Sequence, residues 1–302
     1  MSRLRIATRG SALARWQADH VAALLHAVDP GLRTEIVLVE TGGDSRLDVP
    51  IWELGGKGVF VKEVQLAVLD GRADLAVHSA KDLPSATPGG LVLATVPQRA
   101  DVRDALVGAR LAELPVGGVV ATGSLRRRAQ LARARPDLRF ESVRGNMARR
   151  VDRAGRHGVA AVVVAAAALD RLGWAGRIAE RLPVETVLPQ VGQGALAVEC
   201  RVDDGAARAA LAGIEHRPSR LAVDAERGFL AALGGDCALP AAAHATLAGG
   251  AVTVEGLVAT PDGAALVRHA ATGDVADGPA IGADVARHLL EVQGGARLLG
   301  RT

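Results

Sequence analysis

One thiol, one carboxylate and an unusual population of arginines carry the chemistry available to this sequence. Its 302 residues include two cysteines, Cys200 and Cys237. Cys200 closes the apolar run that starts at Ala195 and reads as a strand residue. Cys237 follows a helical stretch, just past Gly234 and Gly235 and before Pro240, where a turn can present its sulfur. Whether such a thiol reacts depends on its thiolate fraction and exposure. The stretch His78-Ser79-Ala80-Lys81-Asp82-Leu83-Pro84 leaves a buried strand and turns at proline, setting Asp82 beside a cation at the mouth of a domain. A carboxylate there can handle protons or stabilise a developing cation. The same residue also suits an Asx-type turn before proline. The histidines lack metal-ligand spacing, so no metal is expected.

Three strand-to-helix junctions repeat one arrangement, a small polar or glycine turn with arginine. They are Thr8-Arg9-Gly10-Ser11, Thr122-Gly123-Ser124-Leu125-Arg126-Arg127 and Arg144-Gly145-Asn146. A helix N-terminus offers unpaired N–H groups and a positive dipole end, and arginine adds a fork that matches a carboxylate or phosphate. Ser11, Ser124 and Asn146 are also preferred helix caps in their own right. Three junctions in one chain favour a cleft for a polyanion. Phosphate-loop and dinucleotide fingerprints are absent.

The basic residues sharpen this reading. Only three of the 36 are lysines, Lys57, Lys62 and Lys81. Two of these lie in loop-like stretches, and Lys62 lies on the solvated side of an amphipathic helix. From Arg126 to Arg156 the chain carries a net charge of +8, against +3 overall. Such a block marks a solvated face or an anionic partner. With 2% aromatic residues and no tyrosine, few platforms exist for stacking bases, so small polyanions fit better than nucleic acid.

The elements that must position these groups alternate short apolar strands with amphipathic helices, which predicts parallel sheets with crossover helices. Strands are expected at 4–8, 34–40, 73–77, 91–96, 119–122, 138–143 and 159–164. Helices are expected at 11–28, 59–69, 125–134 and 146–156, with a long glycine-rich loop at 42–58. The grammar restarts near residue 104, which suggests two doubly wound α/β domains. The last third changes to a helix over 221–233, short alternating segments and a final helix over 283–299, a small α+β domain. The longest apolar run, Val159 to Leu169, is too short to span a bilayer. No signal-peptide core opens the chain, and two cysteines make no disulfide framework, so a cytoplasmic protein is expected.

Together these motifs closely resemble the porphobilinogen deaminase family. The matching pieces are RIATR (5–9), GGKGVF (55–60), HSAKDLP (78–84), TGSLRR (122–127), RGN (144–146), VGQGALAVEC (191–200) and the AER…GGDC stretch (225–237). The resemblance implies two periplasmic-binding-protein-like domains, at 1–97 with 195–212 and at 98–194, and a third at 213–302. It implies a dipyrromethane cofactor in thioether linkage to Cys237. Four porphobilinogen units are then added head to tail with loss of ammonia, and water releases hydroxymethylbilane.

By match to the family, Asp82 is the catalytic carboxylate. Lys81, Thr122, Gly123, Ser124, Arg126 and Arg127 match cofactor-binding positions. Arg9, Ser11, Arg144, Arg150 and Arg171 match contacts to substrate or growing chain, with Gln17 and Gln193 as weaker matches. Lys57 and Phe60 fall in the stretch that resembles the family's active-site cover. The resemblance also implies a monomer without nucleic-acid or membrane partners. Asp236 beside the thiol, Ala80 and Gly123 depart from the family pattern, and the acidic neighbour should disfavour the thiolate. Two other readings compete: a non-catalytic binder of small polycarboxylates, and a nucleic-acid module built on the 126–156 block.

Overall fold

The computed structural model describes residues 3–40, 61–234 and 239–300. The chain begins with β1 (Arg3–Arg9), α1 (Ala12–Val28), β2 (Arg33–Val39), α2 (Lys62–Leu69), β3 (Leu75–Ser79) and β4 (Leu91–Thr95). A second set follows: β5 (Asp104–Val107), β6 (Val119–Ala121), α3 (Leu125–Ala134), β7 (Arg139–Glu141), α4 (Met147–Val151), β8 (Val159–Ala165), α5 (Ala166–Arg171) and β9 (Glu180–Arg181). The chain continues through β10 (Leu196–Arg201), α6 (Gly205–Ala212) and α7 (Arg217–Ala232). It closes with β11 (Ala241–Ala248), β12 (Ala251–Ala259), β13 (Leu266–Asp274), α8 (Gly278–Arg287) and α9 (Gly295–Leu298).

Among the described residues the first sheet has the order β2-β1-β3-β10-β4 and the second β7-β6-β8-β5-β9. The order β11-β12-β13 makes a small antiparallel third sheet, packed on α7 and α8. This is the mixed α/β class expected, with one difference. The large sheets are not wholly parallel, because β10 runs antiparallel to β3 and β4, and β5 antiparallel to β8 and β9. Each inserted strand lies next to a passage of the chain between the two sheets: β5 follows β4 and β10 follows β9. The strand enters its sheet from the cleft side, opposite in direction to its neighbours. Sequence periodicity is blind to that direction.

Local pattern accounts for most elements. In α1 the buried face is Ala14, Ala18, Val21 and Leu25, at helical spacing, while Val28 is left exposed. The expected helix over 146–156 is shorter, ending at Val151, with turns through Gly155 and His157 in left-handed backbone. The expected helix over 283–299 is broken too. A π-helical turn spans His288–Val292, and Gly294 sits at φ 74° before the short α9. No helix among the described residues is long and apolar enough to cross a membrane.

Candidate active site

Strand β3 delivers His78 and Ser79 to its carboxyl end, and one 3-10 turn, Ala80–Asp82, follows before Pro84. Ala80 and Leu83 are buried with Val61, Leu93, Val96, Ala195, Ala197 and Val223. These apolar anchors leave Lys81 and Asp82 half-buried between them. The Asp82 carboxylate takes no hydrogen bond from any described residue. Its charge acts through space on Lys81 and on Arg150, which belongs to the second sheet's domain.

The opposing wall is cationic. Ser124 caps α3, accepting from Arg127 N at 3.4 Å, and Thr122 Oγ1 accepts from Ser124 N at 3.2 Å. Asn146 caps α4 and Ser11 caps α1, so all three junction residues use their side chains as caps. Gly123 has a reason of its own: a Cβ there would stand 2.8 Å from the Val143 carbonyl oxygen. Arg150 donates through Nε to Gly145 O at 2.7 Å. Burial first, then Arg127, Arg144 and Arg9, push its guanidinium down to about 10, with Asp82 opposing. Burial and Arg127 likewise push Lys81 down to about 8. Arg9, Lys81 and Asp82 from one lobe thus share an electrostatic site with Arg127, Arg144 and Arg150 from the other.

Some expected contacts lie elsewhere. Arg171 donates to Gly194 O at 2.7 Å and stands over the Trp16 ring at 5.7 Å, joining α5 to α1. Gln17 is buried and donates to Ser79 Oγ at 2.8 Å. Gln193 has no exposed surface; it accepts from Lys81 and Arg127 and donates to Val102 O and Asp104 Oδ1. These two amides are struts behind the wall rather than part of its surface. Lys57, Phe60 and Cys237, with the 42–58 loop and Asp236, lie outside the described residues.

Sequence reasoning missed three buried carboxylates. Asp104 pairs with Arg126 at 2.8 Å and Arg127 at 2.7 Å. Glu226, on α7, accepts both prongs of Arg99 at 2.7 and 3.0 Å, together with Gly192 N and Ala245 N. Burial would raise the Glu226 carboxyl, but Arg99 and His244 outweigh it and bring it down to about 2. Glu199 on β10 accepts from Gln65 at 2.8 Å and lies 3.2 Å from His78 Nε2. All three interrupt apolar patterns in sequence: Asp104 before Ala105-Leu106-Val107, Glu199 inside the 195–200 run, and Glu226 on the stripe Ala222, Phe229, Leu233. A charge in a core register is a signal of a buried ion pair.

The donor set suits a polycarboxylate. Arg126 Nε and Arg144 Nη1 are buried without a hydrogen-bond partner, and the cations near Asp82 outnumber the anions. A small pocket is lined by Lys81, Arg126, Gln190, Phe229, Leu233 and Leu239. The last two flank, in sequence, the segment that contains Cys237. The molecule is therefore of the bilobed α/β class, with a cationic interdomain cleft closed by a third, smaller domain.

Residues 4–209 match the family model "porphobilinogen deaminase, dipyromethane cofactor binding domain", and residues 220–291 match "porphobilinogen deaminase, C-terminal domain". A porphobilinogen deaminase from Syntrophotalea carbinolica is 46% identical over 301 residues, covering 99% of this chain and 95% of that protein. The chain belongs to the porphobilinogen deaminase family. It is a transferase of tetrapyrrole synthesis that uses a dipyrromethane cofactor to join porphobilinogen units into hydroxymethylbilane. Solved structures similar to it include the methionine binding protein MetQ, at 12% identity over 69% of this chain and 88% of that one, with a TM-score of 0.45. Another is a TRAP periplasmic solute binding protein from Desulfovibrio salexigens, at 11% identity over 72% and 73%, with a TM-score of 0.42.

Proposed function

We propose that Cys237 carries the dipyrromethane as a thioether, and that Asp82 is the carboxylate serving each condensation. The observation that carries this reading is the coupling of Asp82 to Lys81 and Arg150, which in turn feel Arg127, Arg144 and Arg9. Each porphobilinogen bears an acetate and a propionate, so the growing chain needs many cationic forks. Lys81, Arg126 and Arg127, with the Thr122-Gly123-Ser124 turn, hold the cofactor's carboxylates. Arg9, Arg144 and Arg150, with the Ser11 cap, hold those of the substrate and growing chain. Arg171, Gln17 and Gln193 brace that wall, and Lys57 and Phe60 cover it.

When bound, the dipyrromethane supplies a nucleophilic pyrrole carbon. The protein's part is electrostatic and positional. As ammonia leaves the aminomethyl group of porphobilinogen, positive charge spreads over its pyrrole. The Asp82 carboxylate stabilises that charge and serves proton transfer at the pyrrole nitrogens and the leaving amine. Lys81 and Arg150 feel the Asp82 charge through space, which ties the carboxylate to the cationic wall.

The domain limits that go with this reading are 1–97 with 195–212, 98–194 and 213–302. Membership of β10 in the first sheet supports the return at 195–212. The reading also takes the protein as a cytoplasmic monomer with no nucleic-acid or membrane partner. In support, Arg126, Arg127, Arg135 and Arg153 of the basic block are occupied by the protein's own carboxylates.

The test is the intact mass of the protein and of Cys237→Ser, each followed by Ehrlich's reagent. A covalent addition of two pyrrole units that requires the thiol is expected. An unmodified mass in protein supplied with porphobilinogen would overturn the attachment.

A further inference from the structure

We propose that Arg227, on α7 of the third domain, is a positioning residue for the Asp82 carboxylate, acting through the backbone of the turn that bears it. The proposal rests on the reading of Asp82 as the catalytic group. Arg227 Nη1 donates to the Pro84 carbonyl at 3.1 Å, and Nη2 donates to the Ser85 carbonyl at 3.0 Å. These residues are second and third after Asp82. One planar fork on two successive carbonyls sets the orientation of a peptide as well as its distance.

No hydrogen bond from a described residue holds the Asp82 carboxylate, so what the described residues fix is the backbone that bears it. That backbone is tied at its start inside its own domain. Gln17 donates to Ser79 Oγ at 2.8 Å, and Ala80 N donates to Ala195 O at 3.0 Å. Gln190 donates to the Lys81 carbonyl at 3.2 Å. Past Asp82, Leu83 is buried and donates through N to the Ala80 carbonyl at 3.2 Å, and the Arg227 fork holds the next two carbonyls.

Arg227 is also an expensive choice for mere packing. Its guanidinium is largely desolvated, and its hydrogen bonds go to neutral carbonyls rather than to a carboxylate. Glu199 and Asp224 supply countercharge only through space. The neighbouring Glu226 grips Arg99 and the Gly192 amide from the same turn of α7. The helix whose end lies five residues before Cys237 in sequence therefore also holds the Asp82 turn. Through Arg227, the third domain and the catalytic carboxylate keep a constant relation while the substrate chain grows.

The experiment is a double-mutant cycle on the cofactor-loaded enzyme, with Arg227→Leu, Asp82→Glu and the pair. Arg227→Leu should lower kcat about tenfold with KM changed by less than about threefold and the cofactor mass retained. Arg220→Leu is the control for a purely structural tether. Arg220 holds the Leu93 carbonyl at 3.0 Å from the same helix, and its loss should lower Tm comparably while kcat stays unchanged.

In the Asp82→Glu background, Arg227→Leu should cost less than about twofold, since the carboxylate is already displaced. A tenfold loss in both backgrounds, or an unchanged kcat, would overturn the proposal. If Arg227→Leu does not fold, Arg227→Lys takes its place. A partial loss with the same non-additivity is then expected, and full activity would overturn it. Wild-type turnover by Asp82→Asn would instead remove the role of Asp82 itself.

Discussion

Asp104 Oδ2 and Arg126 Nη2 lie 2.8 Å apart, with no more than 2% of either side chain exposed. The same carboxylate takes Arg127 and Gln193 on its other oxygen. The two arginines of the TGSLRR motif are thus braced from behind, and Arg126 Nε is left buried without a hydrogen-bond partner.

Asp104→Asn leaves two buried guanidinium groups short of a counterion, and should destabilise the protein by about 3–5 kcal/mol. Burial alone would raise the Asp104 carboxyl, but Arg126 and Arg127 overcome this and hold it far below the usual carboxylate range. Its stabilisation is therefore present above the unfolded carboxylate pKa and lost only as pH falls through the depressed folded value. The difference in urea-unfolding free energy between wild type and Asp104→Asn should stay constant from neutral pH down to about pH 5. A difference already shrinking in that interval would contradict the assignment.

Lys81 has the opposite linkage. Below its folded pKa of about 8 the ammonium is protonated in both states, and its burial penalises the fold. Between about 8 and the ordinary lysine value of 10.5 the unfolded chain keeps the proton and the folded chain does not, so stability rises with pH. The chain has no tyrosine, but burial pushes the Cys200 thiol up, so ionisation of that thiol in the unfolded chain opposes the rise in the same window. Unfolding free energy of Cys237→Ser should therefore rise over pH 8–10 relative to the same protein carrying Lys81→Met, in which the Cys200 contribution is unchanged. Loading the cofactor should also diminish it, because anionic carboxylates raise the Lys81 pKa. An identical rise in loaded and unloaded protein would place the cofactor's carboxylates elsewhere.

Gly192 stands at φ 70°, and a Cβ there would meet the Ala80 carbonyl carbon at 2.9 Å and Lys81 N at 3.0 Å. Gly192→Ala should therefore cost about 1–3 kcal/mol and displace the Asp82 turn. Gly71, at φ 71° with open space around it, isolates the backbone contribution. Gly71→Ala should lower Tm with turnover intact, whereas Gly192→Ala should lower both. Equal turnover in the two variants would show that the Asp82 turn tolerates the displacement.

Much of the site was legible because its logic is local. Ser124 caps Arg127 three residues away, Asn146 caps Arg149, and the apolar flanks Ala80 and Leu83 bury themselves and leave Lys81 and Asp82 at the cleft. Strand and helix periods likewise come from neighbours within one or two turns. The length of the last helix was not legible, because the π-helical turn at His288–Val292 answers to packing of Leu289 against the third sheet.

By itself, then, the sequence determined the family, the α/β grammar and the concentration of cations at strand ends, since each is written in residues close along the chain. Tertiary structure alone decided which of those cations serve the protein's own fold. Arg126 finds Asp104 across 22 positions, Arg99 finds Glu226 across 127, and Arg227 finds Pro84 across 143. It also decided that Gln17 and Gln193 stand behind the wall. A buried charge must be matched wherever folding places a partner, and no local period records where that is.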